Sequence, residues 1–169
     1  PIMAFSVAED ELRGMDTTAL VGHLAAWNYY QSVDTPQNKQ FVANFKAYCK
    51  KNNLPDGEKR VTDDPIEAAY FGVHIWKQAV EKAGSTEVDK VRKAVYGSKF
   101  LAPGGEIMVD AANHHTYRPV LIGEILKDGQ FKVVSRSKGL VKPEPWSEYT
   151  NPDKGCDWIS HQGTYSKKG

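Results

Sequence analysis

Glu9, five histidines and two cysteines carry most of the reactive chemistry this 169-residue chain can offer. The histidines are His23, His74, His114, His115 and His161. His114 and His115 stand side by side in NHHTYRP, a pair that suggests a metal ion or a general base. Neighbouring strand residues point to opposite faces, so the two do not chelate one ion together. A turn residue beside a strand residue is the simpler reading. His74 lies in a helical run without the HExxH context of a zinc protease. Cys49 and Cys156 have no CxxC spacing, which leaves two unrelated thiols or one disulfide fastening the tail. No GxSxG elbow, phosphate loop or strand-following GxGxxG is present. The glycines of GSKFLAPGGE precede a strand rather than a helix, which argues against a phosphate cradle. No catalytic residue, metal site or cofactor is assigned. An enzyme acting through His114 or His115 is the alternative of that class.

Binding chemistry has more support. Ser6 and Glu9 follow the apolar run Pro1 to Val7, PIMAFSV. If that run is a buried parallel strand, both lie at its C-terminal end, where open α/β sheets bind ligands. The plainer role for Glu9 is a solvated acid in the first turn of a helix. Trp27, Asn28, Tyr29 and Tyr30 come just past a second strand. They can line a pocket for a small polar ligand, or they can pack as core aromatics under a loop. Stacking on bases would need a basic groove around them. Instead 22 Lys and Arg residues interleave with 21 acids for a net charge of +1. Such a balance sets up no strong field for nucleic acid or an anionic membrane. No apolar stretch is long enough to span a bilayer, and no signal peptide is visible. The chain begins at Pro1 within an apolar run, which reads as a segment of a longer protein.

The elements that must position these residues read as follows. The clearest is a helix from Asp64 to Gly84, with Asp64 as cap, Pro65 in the first turn and Glu67 closing a capping box. Ile66, Ala69, Tyr70, Val73, Trp76, Val80 and Ala83 recur at helical steps and predict its buried face. Gly84 supplies the left-handed stop. Before it, Leu20 to Trp27 reads as a strand. A helix then starts at Thr35-Pro36, with Phe41, Val42, Phe45 and Tyr48 facing inward. After it, Ser85 or Thr86 caps another helix with Val88, Val91, Ala94 and Val95 inside. Glu106 to Val109 and Tyr117 to Leu126 read as strands. Lys127 to Gln130 is a hairpin turn of the Asp-Gly kind, and Phe131 to Ser135 is the returning strand. The order is α/β, but three helices have too few strands to cover. Their apolar faces call for a further β-layer.

Several runs carry a resemblance. They are SVAEDE, GHLAAWNYYQSVDTPQNKQFV, DDPIEAAYFGVHIWKQAVEKAGSTEVDKVRKAVYG, FLAPGGEIMVDAANHHTYRPVLIGEILKDGQF and KPEPW. Together they resemble the C-terminal part of urea- and short-chain-amide-binding proteins of ABC importers. That group belongs to the branched-chain amino acid, amide and urea branch of two-lobed, type I periplasmic binding proteins. The urea assignment rests on HHTYRPVLIGEI and PEPW. The resemblance implies two Rossmann-like lobes with the chain crossing between them at hinge segments. Residues 1–26 would end the lobe 2 sheet. Residues 27–117 would return to lobe 1, and residues 118–169 would cross back to lobe 2. Trp27, Asn28, Tyr117 and Arg118 would then lie at hinges. The same resemblance implies a neutral amide or urea clamped between lobes, with Glu9 as first acceptor, Ser6 beside it, and Tyr29 and Tyr30 as cleft walls. It further implies membrane permease subunits as partners, no nucleic acid, no membrane insertion of this chain, and a periplasmic or cell-envelope location. An amide sensor of the same fold that controls a transcription regulator is the alternative.

Overall fold

The computed structural model describes residues 1–144. Two small sheets and four helices make up this part of the chain. The first sheet contains β1 (Met3–Ala4), β2 (Leu24–Trp27), β6 (Leu121–Ile125) and β7 (Phe131–Arg136), in that spatial order. β1 runs parallel to β2, β2 antiparallel to β6, and β6 antiparallel to β7. The second sheet is the antiparallel set β3 (Lys99–Ala102), β4 (Gly105–Val109) and β5 (Thr116–Tyr117). The helices are α1 (Glu9–Leu12), α2 (Pro36–Lys51), α3 (Asp64–Ala83) and α4 (Val88–Ala94).

Each sheet has its own core. Leu12, Ala25, Tyr30, Val33, Leu121, Ile125 and Phe131 fill the first. The Tyr30 and Phe131 rings lie 4.6 Å apart, over Gly123. A Cβ on Gly123 would come 2.7 Å from Tyr30 Cζ, so only glycine lets the rings settle on the sheet. Phe71, Ile75, Ala102, Ile107 and Val109 form the second core, where α3 lies on β3 and β4. Tyr30 and Val33 still belong to the first core, so the passage that begins at Trp27–Asn28 is completed only at Thr35.

Local signals placed the helices well. Thr35 caps α2 by accepting Asn38 N–H, with Pro36 in its first turn. Gly84 ends α3 at φ 59°. Asp128-Gly129 turns β6 into β7, with Gly129 at φ 76°.

Several expectations need correction. The cap of α3 is Asp63, whose carboxylate accepts Ile66 N–H at 2.9 Å; Asp64 and Glu67 are turned to tertiary partners. The buried face of α3 is Phe71, Ile75 and Ala79, while Tyr70, Val73 and Trp76 are exposed. Glu87, not Ser85 or Thr86, caps α4, and Val88 is exposed. Leu20 to Trp27 is strand only from Leu24, because Thr17–Ala19 makes a single 3₁₀ turn behind the Asp16 cap. β1 pairs in parallel as expected but is an edge strand of two residues, with Ile2, Met3 and Phe5 exposed. Tyr117 to Leu126 is not one strand. It divides between the two sheets at Arg118-Pro119-Val120, where proline removes a ladder donor.

Candidate functional site

The two sheets are joined where the N-terminus of α3 meets two connecting segments, and Asp64 is the centre of that junction. Its Oδ2 accepts Asn28 N–H at 2.8 Å, just past β2. Its Oδ1 accepts from Arg118 Nη1 at 2.8 Å, just past β5. The Asn28 side chain donates to Pro119 O at 2.7 Å, so the two connections are also bonded to each other. One turn along α3, Glu67 Oε2 takes Arg118 Nη2 at 2.5 Å and Glu67 Oε1 takes Gly104 N–H at 2.8 Å. Gly104 O in turn accepts from Arg136 on β7 at 3.1 Å. The Arg118 guanidinium stands 5.1 Å over the Phe71 ring. The side chains of Arg118, Asp64 and Glu67 are 10%, 8% and 1% exposed, so these are interior ion pairs. Burial raises the Glu67 carboxyl above the usual range, and Arg118 works in the opposite direction.

Sequence reading missed Asp64, Glu67 and Gly104 as members of this junction. Three acids in DDPIE satisfy a helix N-terminus on their own, so capping explained them without a distant arginine. The surplus of acids over available cap positions was the usable signal.

Glu9 lies beside this junction and is wholly buried. Its Oε1 accepts Gln31 N–H at 2.7 Å, and its Oε2 is buried without a hydrogen-bond partner. Burial is the chief cause that pushes its carboxyl up to about 8, with Asp63 and Asp64 adding to the rise. It is therefore not the solvated helix-start acid of the plainer reading. Ser6 is exposed at the C-terminal end of β1. The accessible member of the Ser6–Glu9 pair is thus the serine, the reverse of their order as candidates.

Tyr29 and Tyr30, expected to wall a cleft, are both fully buried. The Tyr29 hydroxyl donates to Asn38 Oδ1 at 2.7 Å and lies 2.8 Å from Thr62 Oγ1. The Tyr30 hydroxyl donates to Ala25 O at 2.6 Å. Desolvation raises both phenols above their usual range. Their hydroxyls are occupied internally, so they support the junction from behind. Of the other hinge candidates, Trp27 donates its indole N–H to Val7 O at 2.9 Å, and Tyr117 ends β5. These bonds bring Trp27, Asn28 and Arg118 to one place, with Glu9 adjoining.

His114 and His115 are both exposed. His114 adopts φ 63° and its ring stacks on Tyr96 at 4.3 Å. His74 stacks on Phe100 at 4.9 Å. Among the described residues no group of three or more His, Cys, Asp or Glu side chains is placed to hold a metal ion. Among them too, no helix is long and apolar enough to cross a membrane. Cys49 is buried on α2, whereas Cys156, His161 and the Trp-rich tail lie outside the described residues.

A family model described as a periplasmic binding protein domain matches residues 1–152. The chain belongs to the periplasmic binding protein family. Solved structures agree with this periplasmic binding protein fold. A solute-binding protein of an ABC transporter from Rhodopseudomonas palustris HaA2, in complex with p-hydroxybenzoic acid, superposes with a TM-score of 0.67 at 28% identity; the match covers 82% of this chain and 37% of that one. A Leu/Ile/Val-binding protein homolog of Brucella abortus is 27% identical over 126 residues, 73% of this chain and 30% of that protein. A protein named limonene hydroxylase from Geobacillus stearothermophilus is 30% identical over 131 residues, 78% of this chain and 23% of that protein. The periplasmic binding protein chain therefore spans well under half the length of these relatives. The family model is described as a periplasmic binding protein domain, and the solved neighbour from Rhodopseudomonas palustris is a solute-binding protein.

Proposed function

We propose that this chain is part of the solute-binding component of an ABC importer, which holds urea or a short-chain amide in a cleft between two lobes and delivers it to membrane permease subunits. The periplasm or cell envelope is the corresponding location. The observation that carries this reading is the junction at Asp64. A single carboxylate there binds both connections between the two sheets, at Asn28 and at Arg118. Two units joined through a few adjacent, well-anchored segments make a hinge, and a hinge with a cleft suits ligand capture by closure. Family membership over residues 1–152 supports the same reading.

The choice of urea or an amide rests on the stretches HHTYRPVLIGEI and PEPW. It is also compatible with the chemistry beside the junction. Urea presents four N–H donors and one acceptor oxygen, so its site must be rich in acceptors. Ser6 offers an exposed hydroxyl at the strand end, and the unpartnered Glu9 Oε2 lies a short distance along the chain behind it. Trp27, Asn28, Tyr117 and Arg118 act in this proposal as hinge residues, and Tyr29 and Tyr30 as their packing support.

Titration calorimetry on the native polypeptide that carries these residues tests the proposal. Urea, formamide and acetamide are compared with leucine and p-hydroxybenzoate. Saturable heat with an amide or urea, weakened several-fold by Ser6→Ala or Glu9→Gln, is the expected result. Binding of leucine or p-hydroxybenzoate with no amide response overturns the ligand class. No response to any small solute overturns the solute-binding reading itself.

A further inference from the structure

Away from the Asp64 junction, a cleft of about 520 Å³ opens where α1, α2, the turn Gly57–Lys59 and the β6–β7 hairpin turn come together. Four cationic side chains line it: Arg13, Lys46, Lys59 and Lys127. Asp128 is the acid among its lining residues, and its Oδ1 is engaged by Gln130 N–H at 3.1 Å. Arg13 is already paired with Asp10 at 2.7 Å and with Asp56. The three lysines are not so matched. Among the described residues none of them has a carboxylate within ion-pair distance. Lys46 donates only to a carbonyl, Glu58 O at 3.3 Å.

This concentration of positive charge contrasts with a chain whose net charge is +1. Like charges gathered around one concavity repel, and a cleft with low-dielectric walls focuses their field. The walls are also anchored. Gln31 Nε2 donates to Gln130 Oε1 at 2.8 Å, and Thr17 Oγ1 donates to Lys127 O at 2.7 Å. These bonds hold the hairpin turn that carries Lys127, and the Lys46 bond to Glu58 O links α2 to the Gly57–Lys59 turn.

We propose that this cleft binds a small polyanion, one carrying two or more negative charges on phosphate or carboxylate oxygens. Lysine ammonium groups from α2, from the Gly57–Lys59 turn and from the hairpin turn converge on its oxygens. Binding relieves the repulsion among them and ties the hairpin to α2. The proposal is independent of the solute reading, because Ser6, Glu9, Asp64 and Arg118 do not line this cleft.

Thermal unfolding tests it with inorganic phosphate in one arm and citrate in another, each against sodium chloride at matched ionic strength. At ten times its Kd, a polyanion bound to the folded chain raises Tm by about 3–6 °C, and beyond that the rise grows only with the logarithm of its concentration. Both anions also stabilise proteins without a site, through exclusion from the surface, but that effect grows steadily with concentration. Lys59→Gln with Lys127→Gln separates the two. Both lysines are exposed, so folding is retained, and the logarithmic part of the shift disappears while the linear part stays. A lysine-dependent rise that is steep near the Kd and logarithmic above it, with either anion, supports the site, and the anion that gives it identifies the oxygen chemistry. An identical response in the parent and the double variant, or no rise above the chloride control with either anion, overturns it.

Discussion

Replacing Arg118 with methionine strips the guanidinium from two buried carboxylates while keeping much of the side chain's length over Phe71. Arg118 binds Asp64 Oδ1 at 2.8 Å and Glu67 Oε2 at 2.5 Å, in a region where all three side chains are at most 10% exposed. Removing one member of a buried ion pair costs about 3–5 kcal/mol, because the remaining charge has lost its partner. For a chain of this size that is roughly 6–20 °C in Tm. The pH dependence is the sharper readout. Burial already holds the Glu67 carboxyl above its ordinary value of 4.5, and Arg118 restrains the rise. Without Arg118 the folded-state pKa climbs further. A carboxyl whose folded pKa is raised keeps its full contribution below the unfolded pKa, and loses it as pH rises through the folded pKa. The penalty of Arg118→Met is therefore smallest near pH 4–5, where Glu67 can stay neutral, and grows towards pH 8. Thermal unfolding followed by calorimetry at pH 5 and pH 8 gives both numbers. A loss below about 1 kcal/mol at pH 8, or equal losses at the two pH values, would refute the claim that a buried charge pair holds the junction.

Three further outcomes follow from the same structure. Glu9 is raised to about 8 with no cation beside it, so the folded chain loses stability as pH climbs from about 4.5 through 8; the loss is up to about 5 kcal/mol by pH 9, and Glu9→Gln abolishes this slope in a pH series of denaturation curves. Gly123→Ala drives a methyl group into Tyr30 and Phe131, and overpacking of this kind lowers stability by about 1–3 kcal/mol; an unchanged denaturation midpoint would mean the rings move aside freely. On α3, Trp76→Glu changes stability by no more than about 0.5 kcal/mol whereas Phe71→Ala costs about 3–5 kcal/mol, and a reversed ranking in chemical denaturation would show that the other face is the buried one.

Residues that act through their own backbone or near neighbours were legible in the sequence. Thr35-Pro36 began α2, Gly84 ended α3, and Asp128-Gly129 turned the β6–β7 hairpin, because caps and turns depend on side chains and φ values within a few residues. The parallel run of β1 came from pattern, whereas pattern ran Tyr117 to Leu126 as one strand and only the resemblance implied a crossing after Tyr117. Which face of α3 is buried was decided only in three dimensions. Its sequence is apolar on two sides, so periodicity fits Tyr70, Val73 and Trp76 as well as Phe71 and Ile75. The second sheet selects the latter, and the former remain exposed.

The same division runs through the candidate site. Asn28 and Arg118, which the resemblance implied as hinge residues, meet at Asp64, but the electrostatics there were not legible. Asp63 and Asp64 are equally good caps on paper. Asp63 takes the role because Asp64 is drawn away by Asn28 and by an arginine 54 positions later in the chain. Glu9 reads as a solvated acid until Gln31 and the surrounding side chains close over it. Local sequence sets which conformations a segment can adopt, since those energies depend on neighbouring residues. Burial and charge pairing depend on residues far apart in sequence, and so the tertiary fold alone decided which carboxylates lost their water and which found a partner.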